Sequence, residues 1–462
     1  MPRRLLLPFL LAALLTSGCD LLFPPPSPLQ EALNRCDLGS EPTAAYRRAS
    51  LDLIAATESG RLAVASDRWF VGYAPADLSA ASPGAALASA AAVRATYGLA
   101  RARTVAPDLE LVTLRADARD AAATVRRMLD DPRVRFVHPD VALRTADVPN
   151  DPHFDAQWTL SSFGLPAAWE IEGGSSRVTV AILDTAFDLD HPDLEARFDA
   201  GYDFFNMDPV PDVGASGVHH GTHVAGIVGA IGNDGVGVAG VARDAVRLLP
   251  VQVFDDTGGV GSLDAVVAAL HWVAGREVEG PAPLSEPVEV ANLSLGTDGA
   301  FQLVPALEDA IRAARRAGVL VLAATGNNGV DVGVIAPANG PCAVAVGSVD
   351  EDLGLSVFSN YDASERTVDL AGPGGRSRTG MRVLSTVPDD GYGRLEGTSM
   401  STPWVAGVAA LLASQNPTWT SEDLLRSLLT GAWLPDGASA FELGFGIPCP
   451  DALLGAPTTC GR

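Results

Sequence analysis

Three segments of the 462-residue chain carry side chains that could act together. In VTVAILDTAFDLDHPDL an apolar strand-like run ends on Asp184, and in HHGTHVAGIVGAI His220 stands where small residues begin a helical pattern. In GTSMSTPWVAGVAALLAS, Ser399 follows a Gly and Thr turn and leads into a second helix. A carboxylate, an imidazole and a hydroxyl are the groups from which an activated oxygen nucleophile is assembled. At a helix N-terminus a hydroxyl can be presented, and the first-turn amides favour negative charge developing beside it. Taken singly, each residue has a plainer reading: Asp184 as a strand-end turn former, His220 as a polar helix starter, Ser399 as a helix cap.

Together the three segments resemble the subtilase family, in the order Asp, His, Ser, across nearly all of residues 149 to 450. The resemblance implies a serine endopeptidase. His220 would accept the proton of Ser399 as that hydroxyl attacks a peptide carbonyl, then pass it to the leaving amine, while Asp184 orients and stabilises the imidazolium. His223, one turn later, is expected to pack, and His219 precedes the motif. The segment VLAATGNNG resembles the one whose Asn side chain donates to the oxyanion, which maps to Asn327, with the Ser399 amide as second donor. Two residues depart from the pattern: Ala186 where the family has Gly, and Trp404 where it has His.

The same resemblance implies how substrate and cofactor bind. Ser294, Leu295 and Gly296 would run beside an extended substrate and wall the first specificity pocket, with Ala324, Thr325 and Gly326 opposite and Gly259 and Gly261 on the other edge. Small residues at so many of these positions imply a groove that accepts large apolar side chains. Similarity to the thermitase branch implies a structural calcium ion on Asp151, Asp193 and Asp234, helped by loop carbonyls. Asp234 stands where the usual residue is Asn. Two other functions stay open: a peptide-binding pseudo-enzyme that keeps the groove, and transfer of the acyl group to an amine instead of water.

These side chains need a scaffold. The runs RVTVAILD, VRLLPVQVF, VEVANLSLG, GVLVLAATG and AVAVGSV alternate with helical stretches after His220, Leu263, Pro305 and Ser399. Alternation of this kind predicts an α/β fold, a subtilisin-like domain with a mostly parallel central sheet and helices on both faces, over 148–462. A small α+β module precedes it over 59–147: a strand to Tyr73, a low-complexity Ala and Ser stretch, a strand over Leu109–Leu114, a helix over Asp117–Leu129, and a strand around Val134–Val137. Its ending, DPRVRFVHPD, resembles the inhibitory propeptide of subtilases, so the chain's own propeptide is an expected partner.

The beginning reads as an address. Arg3 and Arg4, the apolar run Leu5 to Leu15 and the small residues before Cys19 form an export signal over 1–18, too short to span a membrane. The segment resembles a bacterial lipoprotein signal with Cys19 as the acylated residue, although Thr16 replaces the usual Leu. A Pro- and Ala-rich tether follows over 19–58. Cutting near Asp147 would separate the catalytic domain from such an anchor, so a membrane link holds only before maturation. Cys36, Cys342, Cys449 and Cys460 allow three complete pairings, of which Cys449 with Cys460 is taken first and free thiols remain the alternative.

Composition bounds the rest. With 47% hydrophobic and 19% charged residues the chain can bury a large core. A net charge of -24, with every basic side chain an Arg, argues against a nucleic-acid partner. Protein or peptide substrates and a monomeric state are expected.

Overall fold

The computed structural model describes residues 47, 50–51, 64–74, 83–106, 109–114, 118–141, 148–171, 177–213, 220–297, 303–363, 368–375, 380–456 and 460. The export segment, Cys19, Cys36, His219 and the bond near Asp147 lie outside them. Two compact units divide the chain, Met1–Leu143 and Arg144–Arg462.

The first unit is a four-stranded antiparallel sheet in the order β2-β3-β1-β4, built from β1 (Val64–Tyr73), β2 (Leu99–Ala106), β3 (Leu109–Leu114) and β4 (Val134–Val141). Helices α1 (Pro83–Tyr97) and α2 (Ala118–Leu129) accompany it. On α2, Val125, Met128 and Leu129 fall on one face and are buried with Val71, Val112 and Val137. Two elements differ from the expectation. The Ala and Ser stretch is helical, as Ala's high helix propensity favours, with Ala90 and Val93 buried. An additional strand, LARARTVA, pairs with β3; its two Arg residues break the apolar alternation that marks a strand in sequence.

The second unit holds seven parallel strands in the order β11-β10-β9-β8-β5-β7-β6. They are β5 (Val178–Asp184), β6 (Tyr202–Asp203), β7 (Val246–Gln252), β8 (Val290–Leu293), β9 (Leu320–Ala324), β10 (Val344–Val349) and β11 (Leu370–Pro373). Parallel sheets are covered on both faces, so their strands read as continuous apolar runs. Here Val180 and Ile182 of β5 enter one core, with α3 (His220–Gly229) and α6 (Thr398–Gln415). Ala181 and Leu183 enter the other, with α4 (Leu263–Val273) and α5 (Pro305–Arg316).

The helix α6 is central. From Thr398 to Ser414 every residue is buried except Ser399, which is why its sequence is Ala-, Val- and Gly-rich with no polar face. Pro403 sits inside it and has no amide proton for the carbonyl four residues back, which is that of Ser399. The Ser294 hydroxyl takes that carbonyl instead, at 2.9 Å. Trp404 is fully buried, donates from Nε1 to the Thr159 carbonyl at 2.8 Å and lies edge-on to Phe163. The departure at 404 is thus a core anchor. A disulfide joins Cys449 to Cys460, and Cys342 is unpaired among the described cysteines. No helix among the described residues is long and apolar enough to cross a membrane.

Candidate active site

In a parallel sheet the functional groups gather beyond the carboxyl ends of the strands, and four neighbouring strands do so here. Asp184 ends β5, Ser294–Gly296 follow β8, Ala324 ends β9 with Thr325–Asn327 after it, and the turn bearing Gly259 and Gly261 follows β7.

Asp184 is buried, 1% exposed, and His220 Nδ1–H donates to its Oδ1 at 2.6 Å. The Thr185 amide donates to the same oxygen at 2.7 Å. Because α3 begins at His220, the register between strand end and helix start fixes this contact. Two cross-links hold it: the Gly221 amide on Thr185 Oγ1 at 2.9 Å and the Asp188 amide on Thr222 Oγ1 at 2.9 Å. A Cβ at Gly221 would lie 2.7 Å from the carbonyl oxygens of both Thr185 and Ala186, so only glycine lets the helix approach this closely. Ala186 itself lies outside the left-handed region and is 2% exposed, so its Cβ disturbs no turn.

With Nδ1 committed to Asp184, His220 Nε2 is the ring atom left to exchange a proton. Burial works against the imidazolium, but the charge and hydrogen bond of Asp184 outweigh it, so the His220 pKa lies above the ordinary 6.5. His223 is fully buried and its Nε2 faces the carbonyls of Val383 and Gly393 at 3.1 and 3.3 Å, the packing role expected for it.

Ser399 is bound reciprocally to the segment after β8. Its hydroxyl donates to the Ser294 carbonyl at 3.3 Å, while the Ser294 hydroxyl holds the Ser399 carbonyl and accepts from Asn292 Nδ2 at 3.0 Å. The residue before it, Thr398, donates from its amide and its hydroxyl to Asn327 Oδ1, at 2.8 and 3.0 Å. Both acceptor positions of the Asn327 amide oxygen are therefore used, which leaves Nδ2 of this exposed residue, beside Gly397, as its donor.

The loop carrying Asn327 has its own support. Asn360, fully buried, donates from Nδ2 to the Thr325 carbonyl at 2.8 Å and accepts the amides of Asn328 and Val330 at 3.0 Å each. Sequence reading missed Asn360, which no motif marks, and treated Thr398 only as part of a turn. Gly259 and Gly261 are exposed on a turn closed by Asp255, whose Oδ1 accepts the Gly259 amide at 2.9 Å.

A buried carboxylate bonded to an imidazole, a half-buried serine in an otherwise buried helical turn, and an oriented amide after the neighbouring strand are the groups that a serine protease uses. Residues 175–446 match the family model described as "Subtilase family". The chain belongs to the subtilase family. The "Extracellular protease" of Xanthomonas campestris pv. campestris is 32% identical over 431 residues, covering 84% of this chain and 72% of that one. "Thermitase" of Thermoactinomyces vulgaris is 38% identical over 268 residues, 58% of this chain and 86% of that one. A protease structure from Pseudoalteromonas arctica superposes with a TM-score of 0.59 at 32% identity, covering 66% of this chain and 98% of that chain. This subtilase is accordingly a serine-type endopeptidase with the family's fold.

At a second place the subtilase gathers carboxylates. Asp193, 0% exposed, accepts the Val238 amide on Oδ2 at 2.9 Å, and its Oδ1 has no hydrogen-bond partner. Asp151 accepts the Asn233 amide on both oxygens, at 3.0 and 2.8 Å, and Asp234 Oδ1 accepts the Val236 amide at 2.8 Å. Burial, with the charges of Asp234 and Asp151 adding to it, pushes the Asp193 pKa up to about 7. Burial raises Asp151 as well, and Asp234 adds to that. An orphaned buried oxygen among mutually repelling carboxylates fits a hard cation. Among the described residues, the one set of three such ligand atoms within 4.8 Å of one another is Cys449, Asp451 and Cys460. The two sulfurs of that set are joined as a disulfide. The carboxylate oxygens of Asp151, Asp193 and Asp234 do not all lie that close to one another, so a cation there would take only those within reach and draw on backbone carbonyls of the 232–238 loop as well.

Proposed function

We propose that the chain is an exported, calcium-supported endopeptidase that hydrolyses peptide bonds through an acyl-enzyme on Ser399, made as a zymogen whose N-terminal unit is its propeptide. The observation that carries the reading is the 2.6 Å hydrogen bond from His220 to a buried Asp184, with Asn327 locked by Thr398 beside the nucleophile.

The chemistry follows from the atoms. His220 Nε2 takes the Ser399 proton as Oγ leaves its resting bond to the Ser294 carbonyl and attacks the substrate carbonyl. Asn327 Nδ2 and the Ser399 amide receive the oxygen as it becomes an oxyanion. The imidazolium, stabilised by Asp184, then protonates the leaving amine, and water repeats the sequence on the ester. The residues after β8 and β9 line the substrate as neighbouring strands would, binding its main chain.

Calcium would be held by Asp151, Asp193 and Asp234, cancelling their repulsion and clipping the 150–154 segment to the 233–238 loop; it takes part in no bond-making step. The small α+β unit fits a propeptide by its place directly before the catalytic unit. Export, and an anchor on Cys19 that maturation removes, rest on the N-terminal sequence and on the extracellular relative. Ala186, the departure from Gly beside Asp184, lies outside the left-handed region and so lends the pseudo-enzyme alternative no support.

A fluorophosphonate probe tests the catalytic reading. Labelling of the folded wild type that vanishes in Ser399→Ala is expected, with peptide hydrolysis falling about a millionfold, the loss subtilisin suffers without its serine. Well-folded, unlabelled wild type would sink it.

A further inference from the structure

The glycines that flank the first specificity pocket do not leave it open. A methyl group of Ile335, Cγ2, lies 3.2 Å from where a Cβ on Gly296 would sit and 3.5 Å from the equivalent point on Gly326. One branched side chain thus spans the gap between the segments after β8 and β9, occupying the room that the two missing side chains vacate. Ile335 is 2% exposed, so it belongs to the base of this gap and not to its rim.

Its position is fixed from several sides. The Ile335 amide donates to the Val332 carbonyl at 2.9 Å, and its carbonyl accepts the Asn339 amide at 2.9 Å. The next residue is tied to the pocket wall itself: the Thr297 amide donates to the Ala336 carbonyl at 2.8 Å, and Thr297 Oγ1 accepts the Ala336 amide at 3.1 Å. A β-branched side chain is stiff at χ1, so it does not swing aside as an unbranched Met does.

We propose that Ile335 is the floor of the pocket that receives the side chain preceding the cleaved bond, and that it restricts that side chain to the size of Gly, Ala or Ser. The proposal rests on the peptidase reading above and reverses the expectation of large apolar side chains, which counted the small residues lining the walls but not the one rising between them. In a packed pocket each methylene gained or lost changes discrimination by about 10- to 200-fold.

The test uses blocked tetrapeptide anilides identical except for Ala or Phe before the scissile bond. The mature wild type is expected to favour Ala in kcat/KM by at least about tenfold, and Ile335→Ala to move the Phe-to-Ala ratio toward Phe by about tenfold or more. Ile335→Val, which removes one methyl group and leaves the backbone's support intact, should shift the ratio the same way by less. Because the readout is a ratio, a general loss of active enzyme does not move it, and fluorophosphonate titration counts active sites in each variant. A wild type that prefers Phe, or an unchanged ratio in both variants, overturns the proposal while leaving the peptidase reading intact. Absence of both labelling and hydrolysis overturns the two together.

Discussion

Asp184 and Asp193 are two almost fully buried carboxylates in one domain, and they are satisfied in different ways. Asp184 meets an imidazole at 2.6 Å, so its charge is answered by a group the chain itself supplies and can switch between neutral and cationic. Asp193 meets the Val238 amide, a Tyr392 hydroxyl and the repulsion of two further carboxylates. Burying a charge is tolerable when it is paired. Each keeps one buried oxygen without a hydrogen-bond partner, Oδ2 of Asp184 and Oδ1 of Asp193, so what separates them is the counter-charge: the chain supplies an imidazole to Asp184, whereas Asp193 has only like charges beside it and, in the proposed reading, is answered by a cation.

Removing the charge of Asp184 has the largest expected effect. Asp184→Asn should lower kcat by about ten-thousandfold, because the imidazolium loses its partner and the ring its tautomer, while the calcium dependence of melting stays as in the wild type. Loss of the calcium response in that variant would show that the two carboxylates are not independent.

The next effect concerns a neutral side chain in the same site. Asn327→Ala should cost about a hundred- to a thousandfold in kcat with little change in KM, the range found for the oxyanion donor of subtilisin. A change confined to KM would assign Asn327 to ground-state binding.

At the cation cluster the expectation reverses, with stability affected and chemistry spared. Calcium at a hundred times its Kd should stabilise the fold by about 2.7 kcal/mol, read as a rise in Tm that a chelator removes. In Asp193→Asn that rise should disappear while kcat, measured at low temperature, stays within about threefold of the wild type by the near-independence of distant sites. An intact calcium response would move the ion elsewhere.

How far all this is legible in the sequence depends on how local each feature is. Asp184, His220 and Ser399 each sit at the boundary of one strand or helix, and such boundaries leave a mark in consecutive residues: an apolar run, then a turn, then small residues. The alternating strands and helices are legible for the same reason, since a strand covered on both faces must be apolar throughout. Asn360, Thr398 and Ile335 act through residues on other loops, by a hydrogen bond to Thr325, to Asn327, or a methyl between Gly296 and Gly326. Nothing in SVFSNY or GVIAPANG marks those contacts, because the loops carrying them come together only when the sheet forms. The helical Ala and Ser stretch of the N-terminal unit was hidden differently: low complexity is uninformative about periodicity, yet Ala by itself favours the helix.

The smallest effect is also the one that measures how strongly Asp184 grips His220. The base must be neutral to accept the serine proton, and Asp184 holds its pKa above 6.5 against the opposing influence of burial. Activity should therefore rise with pH through that raised pKa: kcat/KM at pH 6 should be several-fold below its value at pH 8, with a single-proton acid limb. In the residual activity of Asp184→Asn the charge is gone and burial remains, so the midpoint of the limb should move to lower pH. Were it to stay in place, the imidazole would owe its basicity to something other than Asp184, and the contrast with the cation-dependent carboxylate would lose its physical basis. Repeating the profile in high salt separates the alternatives further, since Asp184 is buried and in direct contact with the ring, so its influence is screened little and the midpoint should hardly move.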